Sequence, residues 1–184
     1  FDKVHGIDSE RFHLVLLAEN ETGYKNLIKL VSKAWVEGFY TKPRVDHELL
    51  EQYHEGIICL SACLAGEIPR ALMKNEYDTA KQTALWYNKV FGQGNYFLEI
   101  QDHGIPDERK AALGLRRLSR ETGIPLVVTN DAHYINKEDA RNQDVLLCIQ
   151  TGKTVDDPDR MKFSSPELYL KSEEEMRALF PEEP

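Results

Sequence analysis

Ile124-Pro125-Leu126-Val127-Val128-Thr129-Asn130-Asp131-Ala132-His133 is the stretch that decides the fold class. Its first half is a short, unbroken apolar run, which predicts a buried strand, and its second half is a polar cluster at that strand's C-terminal end. Open α/β sheets and α/β barrels place their chemistry at such ends. In extended backbone, residues two apart point the same way, so the Asp131 carboxylate and the His133 imidazole are expected to converge on one volume. Read alone, the pair has a plainer explanation, an Asp capping the next helix and a His bonded to a carbonyl. The rest of the chain weighs between the two.

Three further strands are predicted upstream, at Phe12 to Ala18, Gly56 to Ala62 and Tyr96 to Gln101, with Pro125 to Thr129 as the last. Helical segments separate them, so the fold class is α/β with mainly parallel strands. Leu27, Leu30, Val31, Ala34 and Trp35 recur at three-and-four spacing and predict a helix over Tyr24 to Val36 with one buried stripe. Asp46 is read as the cap of a short helix through Leu50. Glu76 to Val90 is read as a helix with Ala80, Ala84, Leu85 and Trp86 inward, ended by Gly92 and Gly94. Pro106 near a first turn and Gly123 past the end bracket another helix, with Leu113, Leu115 and Leu118 as its apolar residues. Asn136 is placed at the N-cap of a helix through about Ile149, ended by Gly152. After Gly152 the texture changes: Val155 to Asp159 reads as an exposed, turn-rich connection and Phe163 to Lys171 as an irregular or strand-like return. Ser172 with Glu175 forms a capping box for a last helix bearing Met176, Leu179 and Phe180.

The 184 residues can bury one respectable core, but they fall short of the roughly 250 of a complete α/β barrel. Lys plus Arg total 23 against 31 Asp plus Glu, and no dense basic run is present, so unaided grip on a phosphate backbone by charge is disfavoured. Three cysteines without a disulfide-scaffold pattern, no signal peptide and no stretch near 20 apolar residues point to a reducing cytoplasm and away from a membrane. The chain begins at Phe1, which together with its length suggests a piece of something longer.

Each predicted strand delivers a residue with metal or catalytic chemistry. His13 shares a face with Val15 and Leu17, where an unpaired imidazole would cost about 1 to 3 kcal/mol, so it is bonded within the core or coordinated. Cys63 stands just past the second run, a ligand position, whereas Cys59 inside it reads as a small packed hydrophobe. Glu99, Gln101 and His103 alternate onto one face at the end of the third strand, before the turn-permitting Gly104. Imidazole, thiolate and carboxylate together suit zinc or a similar borderline metal better than calcium. Ligands spread over several strand ends require a site built by the fold rather than a local finger. No Walker loop, Gly-x-Gly-x-x-Gly, Cys-x-x-Cys or His-Glu-x-x-His is present, and Ser61 has no evident triad partners.

Five blocks, in order, carry a family resemblance: His13 to Leu27, Glu37 to Arg44, Leu60 to Pro69, Glu99 to Gly104, and Thr129 to Tyr134. Together they resemble the PHP (polymerase and histidinol phosphatase) domain of bacterial replicative DNA polymerase III alpha subunits, over essentially the whole chain. The resemblance implies a partial, distorted (β/α)7 barrel whose C-terminal face holds up to three metals, zinc or manganese. It implies His13, Cys63, Asp131 and His133 as metal ligands, Cys63 standing where many relatives have His, with Glu99 and His103 in supporting or structural roles. It implies that residues 1-153 are the latter part of the domain and 154-184 an exit segment toward a polymerase body. One element of the pattern is missing: nothing before His13 forms the His-x-His motif and further early ligands, since Phe1 to Glu10 holds only His5, Asp2 and Asp8. The function so implied is metal-dependent phosphoester hydrolysis of the 3′-5′ exonuclease type within a nucleotidyltransferase. Other replicase domains and subunits, proofreading and clamp components among them, are the implied partners, with DNA reached through the parent protein. Two alternatives stand beside it: a non-catalytic docking module of the replicase, and a free-standing PHP phosphatase of the histidinol phosphate type.

Overall fold

All four apolar runs become strands, each shorter than its run. The computed structural model describes residues 10–181. In chain order the elements are β1 (Val15–Ala18), α1 (Glu21–Val36), α2 (His47–Gln52), β2 (Ile57–Leu60), α3 (Glu67–Met73), α4 (Tyr77–Phe91), β3 (Tyr96–Ile100), α5 (Pro106–Thr122), β4 (Leu126–Val128), α6 (Ala140–Thr151) and α7 (Glu173–Leu179), with a 3-10 turn at Lys137–Asp139 before α6. The strands form one sheet in the order β1-β2-β3-β4. β2 and β3 are parallel, with Cys59 opposite Tyr96. Bonds from Leu98 N–H to the Pro125 carbonyl and from Thr129 N–H to the Ile100 carbonyl join β3 to β4.

β1 departs from the mainly parallel expectation: it lies antiparallel to β2, with Val15 opposite Leu60 and Ala18 opposite Ile57. An apolar run reads the same in either direction, so strand polarity is decided by the path of the connection. β4 is half-buried rather than fully buried, and among the described residues it ends the sheet. Among the described residues the sheet is four-stranded and mostly parallel, and these strands do not complete a seven-stranded barrel.

Asn20 caps α1 by accepting the Gly23 N–H at 3.0 Å. A Cβ on Gly23 would fall 1.7 Å from the Gly56 carbonyl oxygen, so glycine is what lets α1 approach the entry to β2. The buried stripe of α1 is Gly23, Asn26, Leu30 and Ala34, whereas Val31 and Trp35 are exposed. The three-and-four spacing located the helix but set its rotation one position off. In α4, Tyr87 and Phe91 join Ala80 and Ala84 in the core in place of Leu85 and Trp86. Leu115 and Leu118 of α5 are buried, while Leu113 is exposed. α3 has no counterpart among the predicted helices, since seven residues with a proline among them are too few to display periodicity.

The chain divides into two compact units, Phe1–Glu99 with Leu113–Val127, and Ile100–Ala112 with Val128–Pro184. The first has its core in Leu30, Ile57, Ile68, Tyr96, Leu98, Leu118 and Ile124. The second buries Leu147 and Cys148 of α6 with Leu168 and Phe180. There the Asn136 cap forms a capping box with Asp139, Gly152 ends α6 in the left-handed region, and Ser172 and Glu175 make the box that opens α7.

Candidate metal centre

The segment after β2 doubles back on itself. Ala62 takes a left-handed φ of 63°, and the Gly66 N–H closes a turn onto the Cys63 carbonyl at 2.8 Å. A Cβ on Gly66 would lie 2.2 Å from the Ser61 carbonyl oxygen, so the tight return needs glycine there. The returning chain meets His13, whose N–H donates to the Ala65 carbonyl at 3.0 Å. His13 therefore stands just before β1, in a lone parallel bridge with Gly66, rather than inside the strand. This arrangement sets Cys63 Sγ 3.5 Å from His13 Nδ1. Cys59, by contrast, is fully buried and burial pushes its thiol far up, as expected of a packed hydrophobe. Ser61 is buried too, its hydroxyl accepting the Glu99 N–H at 2.8 Å.

The second unit holds the other predicted pair. After β4 the chain turns sharply at Asp131, φ 42°, and His133 is anchored by its N–H to the Leu168 carbonyl at 2.8 Å. Asp131 Oδ2 lies 3.5 Å from His133 Nε2, and the imidazole rests against the Phe163 ring, centroids 4.6 Å apart. Simple strand alternation is not what brings them together, because β4 has already ended and Asp131 is left-handed. The four predicted ligands thus form two donor pairs, His13 with Cys63 and Asp131 with His133. Among the described residues no group of three or more His, Cys, Asp or Glu side chains is gathered tightly enough to hold an ion. His5, Asp2 and Asp8 lie outside the described residues.

Behind Asp131 is a part-buried polar network in which Asn130 is the hub. Its amide nitrogen donates to the Glu167 and Tyr169 carbonyls at 3.1 and 2.6 Å, and its Oδ1 accepts from Lys171 at 3.2 Å. The Lys171 side chain is only 2 % exposed and pairs with the Glu167 carboxylate at 3.3 Å. Gln101 donates to the Thr129 hydroxyl at 2.9 Å. His103, 3 % exposed, has Nδ1 2.7 Å from Glu108 Oε1 and Nε2 2.8 Å from the Asn130 carbonyl oxygen. Burial lowers the His103 pKa, but the Glu108 bond and the Asn130 carbonyl outweigh it and leave it raised. The alternation of Glu99, Gln101 and His103 points to this strand end; the partners, 5 to 28 residues away in sequence, are not legible from it.

A second polar cluster carried no sequence signal. A cleft of about 1030 Å³ in the first unit includes His13, His47, Glu67 and Tyr87 in its wall. Glu67 Oε2 lies 3.1 Å from His47 Nε2 and accepts from the Tyr87 hydroxyl at 2.9 Å, while His47 stacks on Trp86 at 4.1 Å. The Glu67 bond raises His47 despite partial burial. Burial pushes the Glu67 carboxyl upward, but His47 and Tyr87 together hold it below its ordinary value. No helix among the described residues is long and apolar enough to cross a membrane, and the three cysteines form no disulfide.

Comparison with known proteins places this geometry in context. The family model "PHP domain" matches residues 3–103. The chain is 53 % identical over 180 residues to a DNA polymerase III subunit alpha of Treponema pallidum, covering 98 % of this chain and 15 % of that protein. It is 50 % identical over 169 residues to the same subunit of Borreliella burgdorferi, covering 92 % of this chain and 15 % of that one. The Thermus aquaticus subunit is 46 % identical over 177 residues, 96 % of this chain and 14 % of that protein. The chain therefore spans about 15 % of the length of the curated relatives it matches.

Proposed function

Because this chain belongs to the PHP domain family, we propose that it serves as the PHP segment of a replicative DNA polymerase III alpha subunit, and that His13 with Cys63 and Asp131 with His133 are two pairs of divalent-metal ligands. The spacing of the two donor pairs carries the reading. With metal–sulfur and metal–nitrogen bonds of about 2.3 and 2.05 Å at a tetrahedral angle, two ligands of one zinc ion stand about 3.5 Å apart, and a nitrogen–oxygen pair about 3.4 Å. His13 and Cys63 are 3.5 Å apart, as are Asp131 and His133. The donor types fit zinc, and manganese is the second candidate.

When bound, such an ion supplies water activation and charge neutralisation at phosphate oxygens, the chemistry of phosphoester hydrolysis of the 3′-5′ exonuclease type. The chain's own residues hold each donor pair: the Ser61–Gly66 turn aims Cys63 at His13, and the Asn130 hub anchors the Asp131 turn. In this reading residues 1-153 are the latter part of a distorted (β/α)7 barrel and 154-184 lead toward the polymerase body, with nucleotidyl transfer carried out by other domains of the parent. The setting is the cytoplasmic replicase, with its proofreading and clamp components and DNA as partners. Equilibrium dialysis against zinc and manganese, with Cys63→Ser and His133→Ala beside the unaltered chain, tests the ligands. We expect weak binding that each substitution weakens further; binding indifferent to both would refute the assignment.

One observation favours a second reading, a docking module without hydrolysis: no cluster of three donors occurs among the described residues. Nuclease assay of the full-length alpha subunit separates the two, since a docking module keeps subunit binding and shows no metal-dependent loss of 3′ nucleotides. The relatives named above are polymerase subunits, which favours the polymerase reading over a free-standing phosphatase.

A further inference from the structure

We propose that His103 is a positioning residue, a buried imidazolium that grips the Asn130 carbonyl through Nε2–H while Glu108 holds Nδ1–H, and so fixes the backbone from which Asp131 and His133 project. Hydrogen-bond chemistry points to the charged form. A carbonyl oxygen can only accept, so the nitrogen 2.8 Å from Asn130 O carries a proton. The other nitrogen faces a carboxylate oxygen at 2.7 Å, and the second oxygen of that carboxylate accepts the His103 backbone N–H, also at 2.7 Å. A carboxylate that already accepts a backbone N–H is best matched by a second donor.

The Asn130 carbonyl belongs to the peptide plane about whose nitrogen Asp131 turns. Asp131 takes a left-handed φ of 42°, a conformation that is strained for an L residue unless its surroundings hold it. His103 holds the carbonyl from one side, and the Asn130 side chain ties the same residue to Glu167 and Tyr169 from the other. Among charged groups, Glu108 favours the imidazolium and Lys171 opposes it, and Lys171 is itself paired with Glu167. His103 acts on the Asp131–His133 segment through the Asn130 carbonyl.

The proposal depends on the metal reading only for what the Asp131–His133 pair does, and its test separates the two. Long-range nitrogen–proton spectra of the chain labelled at histidine, recorded at pH 7.5, should show one imidazole with both nitrogens protonated, lost in His103→Gln. A His103 ring with an unprotonated Nδ1 overturns the proposal, and this needs no variant to fold. In Glu108→Gln the amide signals of Asp131 to His133 should shift more than those of α4, and zinc affinity should fall about tenfold or more; unmoved amides overturn it. If His133→Ala leaves zinc binding unchanged, the metal reading fails, while the ring spectra and the amide shifts still decide the role of His103.

Discussion

Replacing Asn130 with alanine should loosen the segment that carries Asp131 and His133 far more than the loss of one side chain suggests. The amide makes two bonds to main-chain carbonyls, at 3.1 and 2.6 Å, and one from the Lys171 ammonium at 3.2 Å. Two neutral bonds at about 1 kcal/mol each and one charge-assisted bond at about 1.5 to 3 sum to roughly 3.5 to 5 kcal/mol. Lys171 keeps the Glu167 carboxylate after the substitution, so about 3 kcal/mol is the figure to expect. Both tryptophans, Trp35 and Trp86, lie in the other unit, so their fluorescence would miss the event. Amide hydrogen exchange reads it directly. The N–H groups of His133 and Leu170, bonded to the Leu168 and Tyr134 carbonyls, should exchange roughly 100-fold faster in Asn130→Ala. Asn142→Ala, which removes one exposed bond to Asp139, should leave them unchanged. An acceleration below about fivefold would show that the Asn130 hub does not hold the return segment, and the positioning argument for His103 would fall with it.

Gly23→Ala should destabilise the first unit by at least about 2 kcal/mol, since backbone atoms of α1 and Gly56 must separate to admit the methyl group, and urea unfolding followed by tryptophan fluorescence reads it. The His47–Glu67 pair sets a pH window. Glu67 is lowered from 4.5, so its contribution is complete above 4.5 and is lost as pH falls through its depressed value; His47 is raised from 6.5, so its contribution is complete below 6.5 and is lost as pH rises through its elevated value. The pair therefore stabilises most between about 4.5 and 6.5, and Glu67→Gln should return the His47 proton titration toward or below 6.5; an unchanged His47 midpoint would contradict the assigned cause. Metal binding should weaken in acid, because protons compete for imidazole nitrogen, and occupancy that is flat with pH would remove His13 and His133 as ligands.

Four strands and most helices were legible in the sequence, because burial leaves a periodic or continuous apolar trace and caps such as Asp46 and Ser172 carry a local hydrogen-bond logic that needs nothing distant. The residue types of the site were legible for the same reason: histidine, cysteine and aspartate at strand ends are chemically conspicuous wherever the chain goes. Which donors meet was another matter. Asp131 and His133 are sequence neighbours, yet a left-handed turn rather than strand alternation brings them together, and His13 reaches Cys63 only because the Ser61–Gly66 turn returns to it across 50 residues. The polarity of β1, the rotation of α1 and α4, and the contacts of His103 with Glu108 and Asn130 likewise follow from how distant surfaces pack. Sequence by itself determined where the backbone can bond to itself and which side chains have chemistry to offer. Tertiary structure alone decided direction, facing and partnership, because those depend on groups far apart in the chain whose meeting no local pattern encodes.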